Sequence, residues 1–367
     1  MAADMKRMGS PIGARMIVDG REVDYYCGTS YYALHGDPRV IRAATDAVRA
    51  YGLGPATKAL VAPIDEVIDL ACGFFETETV TYLISGYLGA MVLAQALSED
   101  YDIVFVDDRS HYSVFDGIRS SGKRVVPFRH LDAEDLARRL AHDVAPKQVP
   151  LVMTDGVFPV TGAIAPLPDY ANALSAFDGA LLCADDSHAV GVIGPRGQGT
   201  FEHHGLRSDC FHLAGTLSKA FGGIGGIIPG DRALAEKIKR LVRVPNGASP
   251  PPVPAAAAAA MGIRILKEHP EMRERLWSNV KRVRDGFRQL GFEMPESPVP
   301  IVNVKGSPAT DLKHVDRTLR TNDIVVLYVP PKGYSDAPNV ESLRIAVFST
   351  HTDSQIDRLL STVRHAV

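Results

Sequence analysis

Lys219 stands in the segment HLAGTLSKAFGGIGG (212–226), just past an apolar run and beside the hydroxyls of Thr216 and Ser218. Glycines follow at 222, 223, 225 and 226. An amine in such low-polarity surroundings keeps part of its population neutral and can form an imine with an aldehyde. Thr216 and Ser218 could hydrogen-bond a phosphate, and the glycines let backbone approach a bulky planar ligand. From this segment alone, a surface lysine in a glycine-rich turn would look the same, because the run is neither a GxGxxG nor a P-loop motif.

Three further segments carry polar residues where apolar runs end. In ALLCADDSHAVGVIG (180–194), Asp185 and Asp186 close an apolar run and His188 follows. The DDxH spacing matches no common zinc pattern, so no metal is expected there. A carboxylate at this place could pair with a pyridine nitrogen, or the two acids could cap a helix or turn. Leu83–Ala90 joins an apolar run to a helical pattern through Ser85, Gly86 and Tyr87, and free N–H groups at such a junction favour an anion. His111, in VDDRSHY (106–112), could stack its ring on a flat ligand or serve a structural role.

The elements that must position these residues follow from periodicity. Strand-sized apolar runs at Thr81–Ser85, Ile103–Asp107, Arg124–Phe128, Leu151–Asp155, Ala180–Asp185, Cys210–Ala214 and Ile224–Ile228 alternate with helical stretches such as Ala133–Asp143 and Leu167–Ala176. This alternation predicts an α/β domain with a mostly parallel sheet. Ligands of such sheets collect outside the carboxyl ends of the strands. Beyond Pro245 the pattern changes. Pro250, Pro251, Pro252 and Pro254 precede a helix through Ala255–Lys267, then a helix over Glu271–Leu290. Strands at Ile301–Val304, Ile324–Tyr328 and Ser342–Phe348 follow, with helices near Asp311–Thr321 and Ser354–Arg364. This is an α+β pattern, so the expected division is an N-terminal segment over 1–35, a large domain over 36–248 and a small C-terminal domain over 249–367.

Composition narrows the function classes. A hydrophobic fraction of 46% against 23% charged residues suits a globular protein of 367 residues. The formal charge of -3 gives no electrostatic case for a nucleic-acid or anionic-membrane partner. Cys27, Cys72, Cys183 and Cys210 are scattered without a CxxC pair, which favours a reducing compartment over a disulfide framework. The first residues lack the apolar core of a signal peptide, and no apolar run reaches the roughly 18–20 residues of a membrane helix. A cytoplasmic location is the expectation.

Taken together and in this order, the four segments resemble fold-type I enzymes that use pyridoxal 5'-phosphate (PLP). More narrowly, the chain resembles the α-oxoamine synthase family from about Ile17 to its C-terminus. TDGVF (154–158), DDSHAVG (185–191) and GTLSKAFGG (215–223) are most similar to the glycine C-acetyltransferase members. The resemblance implies a large PLP-binding domain with a small α+β domain, a homodimer, and an active site at the subunit interface. It implies a Schiff base between PLP and Lys219, Asp185 on the pyridine nitrogen, His188 at the ring's phenolic oxygen and His111 stacked on the ring. Gly86, Tyr87 and Thr216 would hold the phosphate, with Ser249 reaching the neighbouring subunit's cofactor. Arg344, in SLRIAVFSTHTDSQIDRLL, would grip the amino acid's carboxylate with its guanidinium fork.

The implied reaction condenses a small amino acid with an acyl thioester, carried on coenzyme A or a carrier protein. An aminotransferase is the alternative reaction, and a PLP-fold binding module the alternative class. Three departures from the family pattern bear on the acyl side. Thr29 or Ser30 in CGTSYYAL stands where the family carries asparagine. Pro159 replaces a serine, with Thr161 nearby. Pro55–Asp65 is shortened and rewritten.

Overall fold

The computed structural model describes residues 7–54, 56–57, 61–307 and 310–367. Pro55 and residues 58–60, part of the rewritten segment, lie outside the described residues.

Two short strands, β1 (Arg15–Val18) and β2 (Arg21–Tyr25), come first. Seven more strands build one sheet: β3 (Thr79–Leu83), β4 (Ile103–Asp107), β5 (Arg124–Phe128), β6 (Pro150–Asp155), β7 (Leu181–Asp185), β8 (Phe211–Thr216) and β9 (Gly226–Gly230). Their order is β3-β9-β8-β7-β6-β4-β5. From β8 to β5 all pairs are parallel, and β9 runs antiparallel between β8 and β3. The expected mostly parallel α/β sheet is present.

Continuous apolar runs form these strands because both faces are covered. Every residue of β4, β6 and β7 is buried. Their side chains alternate between two cores. Val104, Val106, Leu151, Met153, Leu181 and Cys183 pack on one side. Ile103, Phe105, Val152, Leu182 and Ala184 pack on the other. Helices Gly89–Ala96, Tyr112–Arg119 and Arg232–Leu241 cover the first face; Ala133–Asp143 and Leu167–Leu174 cover the second. The parallel strands therefore deliver Asp107, Asp155, Asp185 and Thr216 to one edge of the sheet. Ser85–Tyr87, after β3, reach the same edge.

β10 (Ile301–Lys305), β12 (Leu327–Val329) and β13 (Ser342–Ala346) form an antiparallel sheet in the order β10-β13-β12. The expected single strand over Ile324–Tyr328 is two. β11 (Ile324–Val325) pairs in parallel with Asp24 and Tyr25 of β2, whereas Leu327–Val329 pair with Arg344–Ser342. The chain changes partners at Val326, so one apolar run serves two sheets.

The alanine tract lies in helix Val253–Glu268 and is buried through Ala260. Its small residues answer to a close approach by the glycine-rich turn after β8. A Cβ at Gly223 would fall 2.5 Å from that of Ala259, and one at Gly262 would fall 1.7 Å from the Phe221 carbonyl oxygen. The helix backbone thus lies directly against the turn that carries Lys219. Gly262→Ala forces these two backbones apart, so it should lower unfolding free energy by about 1–3 kcal/mol or more, although alanine is the better helix former. Chemical denaturation checks this; an unchanged midpoint would show that the approach is looser.

Candidate active site

Asp155 and Asp185 end neighbouring strands and sit side by side across the β6–β7 pairing, both buried. Asp155 Oδ2 accepts the His111 backbone N–H at 2.6 Å. Asp185 Oδ1 accepts the Ser187 N–H at 3.0 Å, and the Ser113 hydroxyl lies 3.5 Å from Oδ2. Burial, with Asp185 adjacent, pushes Asp155 well above the usual carboxylate range.

Asp186 is a different kind of acid. It turns to the rear of the loop, accepting from the Thr200 N–H at 2.7 Å and the Thr200 hydroxyl at 2.6 Å. Gly156 and Gly199 leave room for it; a Cβ at either would fall 1.8 Å or 2.2 Å from its oxygens. Burial raises Asp186 to about 7, against the Thr200 hydrogen bonds. Asp185, not Asp186, faces the lysine.

Lys219 is part-buried in the turn after β8. Burial pulls its amine down to about 8, with the Asp185 and Asp155 carboxylates opposing and the Arg344 guanidinium adding to the shift. The turn is fixed by its neighbours. The Thr216 hydroxyl donates to the Gly225 carbonyl at 2.9 Å, and Ser218 Oγ accepts the Gly225 N–H at 3.0 Å.

Two histidines stand around this centre. His188 is buried, and Tyr31 Oη lies 2.7 Å from its Nδ1. Burial, reinforced by positive charge at Lys219, Arg344 and His111, holds His188 well below the ordinary histidine range. His111 caps helix Tyr112–Arg119 by accepting the Ser113 N–H on Nδ1 at 3.2 Å. Its Nε2 lies 2.7 Å from Tyr334 Oη. Burial lowers it as well, with Lys219 adding and Asp185 opposing.

The anion-binding candidates also meet. The turn Gly86–Leu88 lies against Thr216, and a Cβ at Gly86 would come within 2.7 Å of the Thr216 Cβ. Only glycine lets the two segments close. The Tyr87 N–H donates to Ser85 Oγ at 3.2 Å, and its hydroxyl to Asp116 at 2.5 Å.

Arg344 comes from β13 and is buried. Its Nε donates to the Pro159 carbonyl at 2.6 Å and Nη1 to the Gly28 carbonyl at 3.3 Å. Among the described residues no carboxylate pairs with it, which leaves its charge available to a ligand. Thr29 is part-buried beside Gly28. Ser30 Oγ lies 2.6 Å from His35 Nδ1, and His35 Nε2 lies 3.2 Å from the Ser218 carbonyl. Ser249 lies on an exposed stretch, and among the described residues no hydrogen bond joins it to this cluster.

The structure therefore gathers Lys219, Asp185, His188, His111, Arg344, Gly86 and Thr216 at one edge, with Tyr87, Thr29 and Ser30 adjoining. Sequence reasoning passed over Asp155, Tyr31, Ser113 and Tyr334. Asp155 ends a strand within TDGVF, a signal that was readable. Tyr31 and Tyr334 carry none, since each meets its histidine across more than 150 residues of chain.

These residues fit PLP. Two adjoining buried carboxylates call for a positive partner such as a protonated ring nitrogen. A lysine lowered to about 8 has a substantial neutral fraction for imine formation. The glycine-lined junction at Gly86 and Thr216 suits a phosphate.

Comparison with known proteins agrees. Residues 37–363 match the family described as aminotransferase class I and II. The 8-amino-7-oxononanoate synthase of Methylococcus capsulatus is 35% identical over 370 residues, covering 98% of this chain and 92% of the relative. The enzyme of the same name from Thermosipho melanesiensis is 32% identical, covering 96% and 90%. A serine palmitoyltransferase variant from S. paucimobilis, solved with a bound PLP–myriocin aldimine, superposes with a TM-score of 0.90 at 26% identity. That match covers 99% of this chain and 92% of the other.

The lowered amine has a direct readout. Only the neutral amine is nucleophilic, so acetylation of Lys219 in cofactor-free protein should rise with pH through a midpoint of about 8. Acetic anhydride labelling with peptide mass spectrometry measures it. A midpoint in the ordinary lysine range near ~10.4 would remove Lys219 from a buried site.

Proposed function

We propose, for a chain that belongs to the aminotransferase class I and II family and within it to the α-oxoamine synthases, that it condenses a small amino acid with an acyl thioester and releases the thiol. The observation that carries this reading is the similarity to 8-amino-7-oxononanoate synthases along nearly the whole chain, together with a Lys219 amine set near the paired Asp155 and Asp185 carboxylates. The chain is a PLP-dependent transferase. When bound, PLP supplies the aldehyde that captures amines and a ring that spreads negative charge from the amino acid's α-carbon.

The chain's own residues then have these roles. Lys219 would hold the cofactor through its aldehyde, and its amine would take or give the proton at the substrate's α-carbon. Asp185 keeps the ring nitrogen protonated, and its burial next to Asp155 strengthens that preference. His188, oriented by Tyr31, would contact the phenolic oxygen. His111 would cover the ring face and exclude water from it. Gly86, Tyr87 and Thr216 would hold the phosphate, and Ser249 would reach that of a second copy. Arg344 binds the amino acid's carboxylate, which enters beside Thr29 and Ser30.

This reading divides the chain at the expected boundaries, 1–35, 36–248 and 249–367, so that Arg344 comes to the cofactor domain from the small one. It includes a homodimer. Exposed Tyr87 and Tyr112, next in sequence to Gly86 and His111, and exposed Ile84 and Ile224, in the turns that carry Gly86 and Lys219, support that pairing. It also places the enzyme in the cytoplasm. Among the described residues no helix is long and apolar enough to cross a membrane.

Two outcomes test the reading. Borohydride treatment of the yellow holoenzyme should leave a pyridoxyl group on Lys219, and Asp185→Asn should fold yet turn over roughly 100-fold more slowly or worse. Supplied with small amino acids and acyl thioesters, the enzyme should release thiol only when both are present. Stoichiometric conversion of cofactor to its amine form, reversed by keto acids and indifferent to thioesters, would instead establish an aminotransferase.

A further inference from the structure

The imidazole of His111 is held at both nitrogens, and the two contacts are not equivalent. The backbone N–H of Ser113 points at Nδ1 from 3.2 Å, and a backbone N–H can only donate. Nδ1 must therefore present its lone pair, with the Ser113 hydroxyl 2.7 Å away also able to donate to it. A neutral imidazole has one N–H, so the proton sits on Nε2. The group facing Nε2 is Tyr334 Oη at 2.7 Å, and among the described residues that oxygen has no other hydrogen-bond partner.

Tyr334 is not placed there by its own burial, since it is 40% exposed. It is carried by the turn 330–338, which is fixed at its base. Asp336 is fully buried and accepts from the Val160 N–H at 3.0 Å, the Thr161 N–H at 2.8 Å and the Thr161 hydroxyl at 2.7 Å. Arg109 Nη1 donates to the Ala337 carbonyl at 3.3 Å. The turn is thus fastened to the loop after β6 and to the loop that carries His111. On its outer side Tyr334 packs edge-on to Tyr112, with ring centroids 5.2 Å apart.

We propose that Tyr334 is a positioning residue for His111: its phenolic oxygen accepts the Nε2–H, so the tautomer and ring plane of His111 depend on the turn 330–338 being docked through Asp336. The inference rests on the assignment of His111 to the cofactor face made above, and it adds what sets that ring. His111 is fixed from below by its own helix and from above by a tyrosine 223 residues further along the chain. Nδ1 is committed to the helix cap, so the proton on Nε2 is the one His111 can share.

The test uses holoenzyme with ring-15N-labelled histidine, the His111 signal being identified by its loss in His111→Phe. Wild type should show the Nε2–H tautomer and a slowly exchanging Nε2 proton. Tyr334→Phe keeps the ring and removes only the oxygen. In that variant the proton should exchange about three- to tenfold faster, with kcat for condensation lowered by a similar factor and cofactor retention unchanged. An Nδ1–H tautomer in wild type, or exchange or kcat unchanged in Tyr334→Phe, overturns the proposal. Faster exchange in a protein with no condensing activity at all leaves the positioning role standing and removes the reaction instead.

Discussion

Two carboxylates buried next to each other at the ends of parallel strands are the constraint on which this site depends. Neither Asp155 nor Asp185 can be moved without changing strand register, because they face one another in the β6–β7 pairing. Placing two like charges together in a low-dielectric edge is unfavourable unless one is neutral or a cation joins them. The protein answers in both ways. Asp155 is pushed toward its protonated form, and a lysine is brought into the field of the pair. The carboxylates hold part of the Lys219 charge against desolvation, which leaves the amine near 8 rather than fully neutral. Such an amine is reactive at physiological pH and still charged often enough to move protons.

Lys219 reaches that field through shape more than through charge. Its turn is pressed between Leu34 and helix Val253–Glu268, where Gly222, Gly223 and Gly262 leave no space for side chains. The alanine tract and the glycine run, nearly 40 residues apart in sequence, are two halves of one close contact. A larger residue on either side would displace the lysine from the carboxylates. Low sequence complexity here therefore encodes the position of a reactive group.

Much of this was legible in the sequence, because local patterns control it. Strands Ile103–Asp107 and Arg124–Phe128 begin and end where the apolar runs do. The polar residues at the strand ends mark the site. Legibility fails where a residue's role is set by a partner far along the chain. Ile324–Tyr328 reads as one strand since nothing local records that its halves pair with different sheets. Asp185 and Asp186 look alike in sequence. Only Thr200 and the space left by Gly156 and Gly199 turn Asp186 away. Tyr31, Tyr334 and Asp336 have ordinary neighbours and gain meaning only from contacts across the fold.

The departure at Pro159 shows how a side-chain change can leave a site's geometry in place. Proline removes a hydroxyl and a backbone N–H relative to serine, yet keeps the carbonyl, and it is the carbonyl that accepts from Arg344 Nε. The N–H groups that follow, at Val160 and Thr161, are both taken by Asp336. The turn is thus held by Asp336 on one side and offers an acceptor to Arg344 on the other, while the fixed φ of proline stiffens the point between them. Among the described residues Arg344 is oriented without a carboxylate partner, so its charge is kept for a ligand. What proline takes away is a hydroxyl donor at the loop after β6. If Arg344 binds the amino acid as proposed, the loss of that hydroxyl should bear on how the acyl thioester is held and leave amino-acid binding unchanged.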